Sequence, residues 1–359
     1  MSTVTAVVVA WGASPHLPRC VSSILRSEGA DVDLVVVDNG CSEDVLRLLP
    51  DDGRVHVLTS ERNLGFGGGC NLGVTKATGD VVVFVNPDAV VSPVALSSLA
   101  KVLEDPSVGI ASARLRLMHE PALLNSAGGV MHFLGFGWAK NFRMPAASIF
   151  DVHPVTGASG AAMAMRTEDF DELGGFTPEF FLYQEDLELS MRTWMSGRSV
   201  VLVPDADVWH DYSFSRNPQK YYYVERNRLL LVASLYEKTT LIVLAPALIA
   251  LELGMLLLAA RQRWLTQKVR GWIWIMRNCR WVLNHRHAVQ AARSLPDCAI
   301  APLLAGRFDA RQVDMPILAR PIDWLLGTYW RVAKQCLPTR SSRRQWRGIE
   351  RKPLAHDAS

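Results

Sequence analysis

Two adjacent carboxylates, Glu185 and Asp186, follow an aromatic run, Phe180-Phe181-Leu182-Tyr183-Gln184, and open a segment of helical pattern. Unpaired N–H groups at a helix start favour a charged carboxylate, and a preceding loop can bring a substrate to it, so the pair suits a general base. It equally suits a helix cap, the commoner use of acidic residues in a first turn. Leu182, Leu189 and Met191 are expected to face inward, with Glu188 and Arg192 pairing one turn apart on the outer face. Three more groups could act with this pair. Asp38 ends an apolar run and can accept hydrogen bonds from a nucleotide's base or ribose, or close an Asx-turn over Asn39-Gly40. Asp88, in Asn86-Pro87-Asp88, can hold a divalent cation that neutralises a diphosphate, with Asn86 supplying a neutral oxygen. The same residues also fit a strand-end turn before a helix capped by Ser92 with Pro93 at its first position. A lone histidine is most often structural; His210, downstream of two acidic sites, would serve as a second metal ligand.

These residues need a frame, and the hydrophobic pattern supplies one. Val4–Ala10 and Asp33–Gly40 read as short, β-branched strands buried on both faces, Val55–Leu58 as a third strand, and Gly79–Ala89 as the clearest strand, ending in Asn86-Pro87-Asp88. His16–Arg26 reads as a helix with Leu17, Val21, Ile24 and Leu25 on one face. Strand, helix, strand in this rhythm means right-handed βαβ units and a parallel sheet, whose ligands bind beyond the carboxyl ends of the strands. The glycine run Gly65 to Gly73 follows the third strand, not the first, so it is a weak dinucleotide fingerprint. A tight turn with close helix packing, continuing as a helix through Val74 to Ala77, is the plainer expectation. Ile110–Leu117 and Ser199–Pro204 read as further strands, 118–153 as a loop or hairpin near the site, and Val155–Arg166 as a small-residue floor entering a strand.

The chain has 38 Lys and Arg against 35 Asp and Glu, too near balance to point to nucleic acid. Six scattered cysteines without a CxxC pair fit a reducing cytosol and exclude a disulfide framework or a zinc knuckle. The opening residues lack the pattern of a secretory leader. Residues 239–260 form the most apolar stretch, close to the roughly 20 residues that span a bilayer. Glu252 and Pro246 interrupt it. Val269–Arg286, rich in Trp and Arg, reads as one amphipathic helix suited to anionic headgroups, with re-entrant or in-plane helices preferred to a full span. A homodimer interface is the other use of such a surface. The tail from Pro338 to Ser359 is basic and expected to be loose.

The ordered set of motifs resembles the family 2 glycosyltransferases of GT-A fold, in their bacterial rhamnosyltransferase-like branch. It consists of Val36-Val37-Asp38-Asn39-Gly40, Asn63 to Gly67 with Asn71 and Gly73, Asn86-Pro87-Asp88, Gly174-Gly175-Phe176, Glu185-Asp186, Trp209-His210 and Tyr222 to Asn227. The resemblance spans Val4 to about Asn227. It implies an α/β GT-A domain over 1–228, and the apolar and charge pattern beyond it reads as an apolar and amphipathic helical region over 229–290 and a helical, basic tail over 291–359. The implied activity is inverting transfer of a rhamnose-like or other hexose from a nucleoside-diphosphate-sugar to a lipid-linked or growing glycan, at the cytoplasmic face of the membrane. The implied roles are Asp186 as base with Glu185 orienting the acceptor, and Asp38, Asn39, Asn63, Gly67, Asn71, Asn86 and Asp88 as nucleotide-sugar contacts. Asp88 and His210 would hold Mg²⁺ or Mn²⁺. Asn86 departs from the family's more usual Asp, which implies weaker metal holding, and Cys41 stands where a Ser is usual. A non-catalytic scaffold and a nucleotidyltransferase are the competing readings. The first loop, Trp11-Gly12-Ala13-Ser14-Pro15, carries no Lys or Arg and so opposes the second.

Overall fold

The computed structural model describes residues 2–211, 218–309 and 320–338. Its strands are β1 (Thr3–Gly12), β2 (Asp31–Cys41), β3 (Val55–Thr59), β4 (Val81–Val85), β5 (Ala89–Val91), β6 (Val108–Leu117), β7 (Leu124–Ser126), β8 (Gly129–Met131), β9 (Gly137–Ala139), β10 (His153–Pro154), β11 (Ala162–Arg166) and β12 (Ser199–His210). Its helices are α1 (Leu17–Leu25), α2 (Glu43–Leu46), α3 (Gly65–Val74), α4 (Ala95–Val102), α5 (Thr167–Glu172), α6 (Glu185–Met195), α7 (Pro218–Leu235), α8 (Lys238–Arg261), α9 (Leu265–Arg277), α10 (Cys279–Ala292), α11 (Asp297–Ile300) and α12 (Arg320–Ala333).

The main sheet runs β10-β12-β6-β11-β4-β1-β2-β3, with β5 on β12 and β7 on β6. The β3-β2-β1-β4 half is parallel, β11 is antiparallel to both β4 and β6, and β6 and β12 are parallel. Alternate residues of each strand feed opposite cores, as the two-residue strand period requires. Val7, Val9, Val35, Val37, Val82 and Phe84 join one core, while Val4, Ala6, Val8, Leu34, Val36 and Val83 join the other with Leu17, Val21 and Ile24 of α1. This is why the strands read as continuous apolar runs.

The glycine run is itself α3, rather than a turn before a helix. A Cβ on Gly69 would stand 2.6 Å from Val9 Cγ1, and one on Gly73 would collide with Val7. The helix seats so closely on β1 that only glycine fits its inner face. Helix α4 begins at Ala95 with Val94 at its N-cap, so Ser92 and Pro93 belong to the preceding turn. Within 118–153 the β8–β9 hairpin forms, with Met131, Phe133 and Leu134 fully buried, and Phe133 stacks on Trp330 of α12 at 4.9 Å.

Two expectations for α6 fail. Leu182 is exposed, and the Glu188–Arg192 pair is buried, not on the outer face. Arg192 donates to both Glu188 oxygens (2.7 and 2.8 Å) and to the carbonyls of Leu173 and Gly175 (2.6 and 2.7 Å), fastening the Gly174-Gly175 turn to the helix. A spacing of four residues specifies a pair but not which face of the helix it occupies.

Residue 228 lies within α7, and the buried cluster runs without a break from the sheet through Leu231 and Leu235 to Leu244, Ile300 and Trp330. Helix α8 is the one helix among the described residues long and apolar enough to cross a membrane. Ile242, Ile249, Leu253 and Leu257 on it are exposed. Glu252 is not idle in this apolar setting: it pairs with Arg228 of α7 and with Lys268 of α9 (2.9 Å), and Lys268 also reaches Glu225 (2.7 Å). The expected single helix over 269–286 is two, α9 and α10, divided at Asn278, whose Nδ2 donates back to the Trp274 carbonyl at 2.8 Å. Asparagine competes for backbone in this way and breaks helices. The tail beyond residue 338 lies outside the described residues.

Candidate functional site

The carboxyl ends of β1, β2 and β4 face one side of the sheet. At the end of β2, Asp38 Oδ1 accepts the N–H groups of Gly40 (3.1 Å) and Cys41 (2.8 Å), so the Asx-turn forms and occupies one carboxylate oxygen. Trp11, at the end of β1, lies beside Gly40 with 63% of its surface exposed. Sequence reasoning passed over it, although a Trp in a loop that ends a buried strand is a usable signal.

Several expected contact residues have their polar atoms engaged within the protein. Asn39 is buried; its Oδ1 accepts from Leu64 N (2.8 Å) and its Nδ2 donates to Asn63 Oδ1 (3.0 Å) and to the Gly65 carbonyl (3.1 Å). Asn63 Oδ1 also accepts from Gly65 N at 2.8 Å. Together these two residues tie the end of β2 to the start of α3. Asn71 grips Phe176 through both its amide ends (2.8 and 2.9 Å). Gly67 matters through what it lacks: a Cβ there would lie 2.9 Å from Phe176 Cβ and 3.6 Å from Glu185 Cγ.

The acidic pair diverges. Glu185 turns inward beneath α3 and is only 6% exposed, whereas Asp186 is half-buried. Asp186 Oδ2 accepts Gly160 N–H (2.8 Å) and Oδ1 accepts Leu187 N–H (2.7 Å). One residue on from Gly160, the carbonyl of Ala161 accepts Asn86 N–H at 3.0 Å. The small-residue floor thus bridges Asp186 to the segment carrying Asp88. Gly160 is needed for that bridge, because a Cβ on it would sit 2.9 Å from Phe66 Cε1.

Burial, reinforced by the neighbouring Asp186 charge, pushes the Glu185 carboxyl up to about 8. Burial also raises Asp186, but the Gly160 and Leu187 N–H groups oppose that rise by stabilising its anion. Two close carboxylates do not both ionise readily, and the hydrogen bonds assign the charge to Asp186 and the proton to Glu185. Glu185, facing the core, is therefore not placed to orient an acceptor.

His210 and Asp88 meet at the end of β12, with His210 Nε2 3.2 Å from Asp88 Oδ1. His210 Nδ1 lies 2.9 Å from Asn125 Oδ1, an acceptor, so in the neutral ring Nδ1 carries the proton and the Nε2 lone pair faces Asp88. Asp88 Oδ1 is buried with no hydrogen-bond partner among the described residues. An Asp oxygen and an imidazole nitrogen side by side are a donor set that a divalent cation accepts, so the residues fit a metal. No group of three or more His, Cys, Asp or Glu suited to a metal occurs among the described residues, so phosphate oxygens and water would have to complete the shell. Beside this pair, Asp211 is held by His16 (3.0 Å) and His119 (3.2 Å). Asn125 lies in the stretch whose roles the sequence left unassigned.

Comparison with known proteins defines the class first. A solved structure described as GalNAc-T7 with UDP, GalNAc and Mn2+ superposes with a TM-score of 0.54 at 17% identity, over 66% of this chain and 49% of that one. That likeness is one of fold, and the fold is GT-A; this chain spans about half of that protein's length. Residues 2–228 match the family model glycosyltransferase-like family 2, and the chain belongs to that family. Among its relatives, the N-acetylglucosaminyl-diphospho-decaprenol L-rhamnosyltransferase of Mycobacterium tuberculosis is 25% identical over 247 residues, covering 59% of this chain and 78% of its own. Polypeptide N-acetylgalactosaminyltransferase 11 of Xenopus tropicalis is 27% identical over 214 residues, covering 54% of this chain and 35% of its own. The chain is a glycosyltransferase.

The protonation assignment has a sign that can be measured. A carboxyl raised from about 4.5 to about 8 on folding lends stability below about pH 4.5 and loses it as pH climbs through about 8. Glu185→Gln removes that titration. The variant should gain on the wild type between pH 5 and pH 9, by up to about 4 kcal/mol. Thermal melts across that range check it, and a difference that stays flat with pH would refute the buried neutral Glu185.

Proposed function

We propose that this glycosyltransferase transfers a hexosyl group, rhamnosyl or similar, with inversion from a nucleoside-diphosphate-sugar to a lipid-linked or growing glycan. The observation that carries this reading is Asp186: partly buried, its anion stabilised by two backbone N–H donors, and joined through Gly160-Ala161 to the Asp88 segment. In the step we propose, the acceptor O–H bond breaks, its oxygen attacks the anomeric carbon opposite the departing nucleoside diphosphate, and the proton ends on Asp186. A single base suffices for that geometry; a double displacement needs a positioned nucleophile as well. The free oxygen of Asp38 and the exposed face of Trp11 are suited to the ribose and base. Asp88 and His210 would hold Mg²⁺ or Mn²⁺, which when bound supplies positive charge to the diphosphate.

The same reading places the enzyme on the cytoplasmic face of a membrane. Ile249, Leu253 and Leu257 recur every fourth residue along one exposed face of α8, and exposed Arg261, Arg263, Arg277 and Arg280 follow on the next turns and helices. Exposed Ile322, Trp324, Leu325 and Val332 of α12 enlarge the apolar area. Such a surface suits an acceptor confined to the bilayer plane.

Three outcomes are expected. Asp186→Asn should lower transfer by about 10²–10⁴-fold while nucleotide binding, followed by calorimetry, is kept; near-normal turnover would refute the base assignment. Asp88→Ala should weaken Mn²⁺-supported nucleoside diphosphate binding by about 10–100-fold, and His210→Ala should raise the Mn²⁺ needed; full activity in EDTA would exclude the metal site. Replacing Ile249, Leu253 and Leu257 together by Glu should abolish flotation with anionic liposomes. If instead the wild-type protein ignores liposomes and is a defined dimer that the triple variant dissolves, the surface is a subunit interface.

A further inference from the structure

The loop that delivers Asp186 follows a backbone path that L-residues resist. Phe181, Tyr183 and Gln184 all have left-handed φ, at 63°, 69° and 68°. Such a conformation is strained for a residue with a Cβ and persists only where its surroundings impose it. The restraints come from two sides. On one, Phe66 N–H donates to the Phe181 carbonyl at 2.8 Å, and Gly65 lies so close to that carbonyl that no side chain fits. On the other stands α7. Asn227, fully buried, donates through Nδ2 to three loop carbonyls: Phe180 (3.0 Å), Leu182 (3.0 Å) and Tyr183 (2.7 Å).

Arg226 orients that amide. Its Nε and Nη2 donate to Asn227 Oδ1 at 3.0 and 2.8 Å, so Oδ1 faces the guanidinium and Nδ2 must face the loop. Nη2 also reaches the carbonyls of Glu179 (2.6 Å) and Phe180 (2.8 Å). The guanidinium is walled by the rings of Tyr222, Tyr223 and Trp274, at 5.3, 5.2 and 4.7 Å. Trp274 belongs to α9, so the appended helices complete the clamp.

We propose that Asn227 and Arg226 are positioning residues for sugar transfer: they hold residues 180–184 in the left-handed path that sets Asp186 against the acceptor. The inference rests on Asp186 being the base. It assigns a task to the Tyr222–Asn227 segment, which the sequence marked only as a family pattern. Neither residue touches the donor side of the site, so the clamp bears on turnover and not on donor affinity.

The test compares Asn227→Ala, Arg226→Lys and Asp186→Asn in the full-length protein. The readouts are kcat, donor KM, nucleoside diphosphate affinity by calorimetry, and amide hydrogen exchange over residues 180–187. Arg226→Lys keeps the charge but loses the fork on Asn227. A displacement of about 1 Å at the base should cost about 100-fold in kcat for Asn227→Ala. Arg226→Lys should lose less, about tenfold. Donor KM and nucleotide affinity should stay within about threefold, with faster exchange confined to the loop. Wild-type kcat in both clamp variants overturns the inference, as does a parallel loss of kcat and nucleotide affinity. If Asn227→Ala does not fold, Arg226→Lys decides by the same readouts. Turnover in Asp186→Asn instead overturns the base assignment, and it is read separately because loop exchange does not depend on that side chain.

Discussion

The close seating of α3 on β1 is the constraint from which the site follows. Gly69 and Gly73 let the helix axis approach the sheet to a distance that any side chain would forbid. That approach brings Gly65 and Phe66, at the helix start, against the Phe181 carbonyl, and brings Gly67 over Phe176 and Glu185. Asn39 and Asn63 then lock the helix start to the end of β2. A bulkier helix would stand further off, and the loop before α6 would lose one of its two walls.

The two adjacent carboxylates show how backbone direction divides identical chemistry. At a helix start successive side chains diverge by about 100°, so neighbours cannot share an environment. Glu185 points to the core and is driven towards neutrality by burial; Asp186 turns towards Gly160 and is met by two N–H donors. Burial thus favours the proton on Glu185, while backbone N–H donors favour the charge on Asp186.

Much of this was legible beforehand, and the limits are physical. The parallel strands were readable because a sheet buried on both faces demands uninterrupted β-branched runs, and the ends of those strands located Asp38 and Asp88. What sequence spacing could not convey was which polar atoms would be consumed internally. Asn39, Asn63 and Asn71 carry the right chemistry for a ligand, yet each is engaged by the backbone of another element. Likewise the Glu188–Arg192 pair has surface spacing but core burial, since the face it occupies is set by the Gly174-Gly175 turn packed across it. Clamps such as Asn227 on the 180–184 loop join residues more than 40 positions apart, and single-sequence patterns are blind at that range.

Glu252 interrupts the apolar face of α8, and its partners Arg228 and Lys268 make that interruption a fastening. Glu225 completes the cluster, and removing any one of the four would leave it with a net buried charge, so α8 is held to α7 and α9. The consequence is metric. If α8 rests on a bilayer, the distance from lipid headgroups to Asp186 is set by the protein and not by a tether. An acceptor must then present its hydroxyl at that fixed height, and the enzyme would grade acceptors by the length of the stem between lipid and reacting sugar before any contact with the sugar itself.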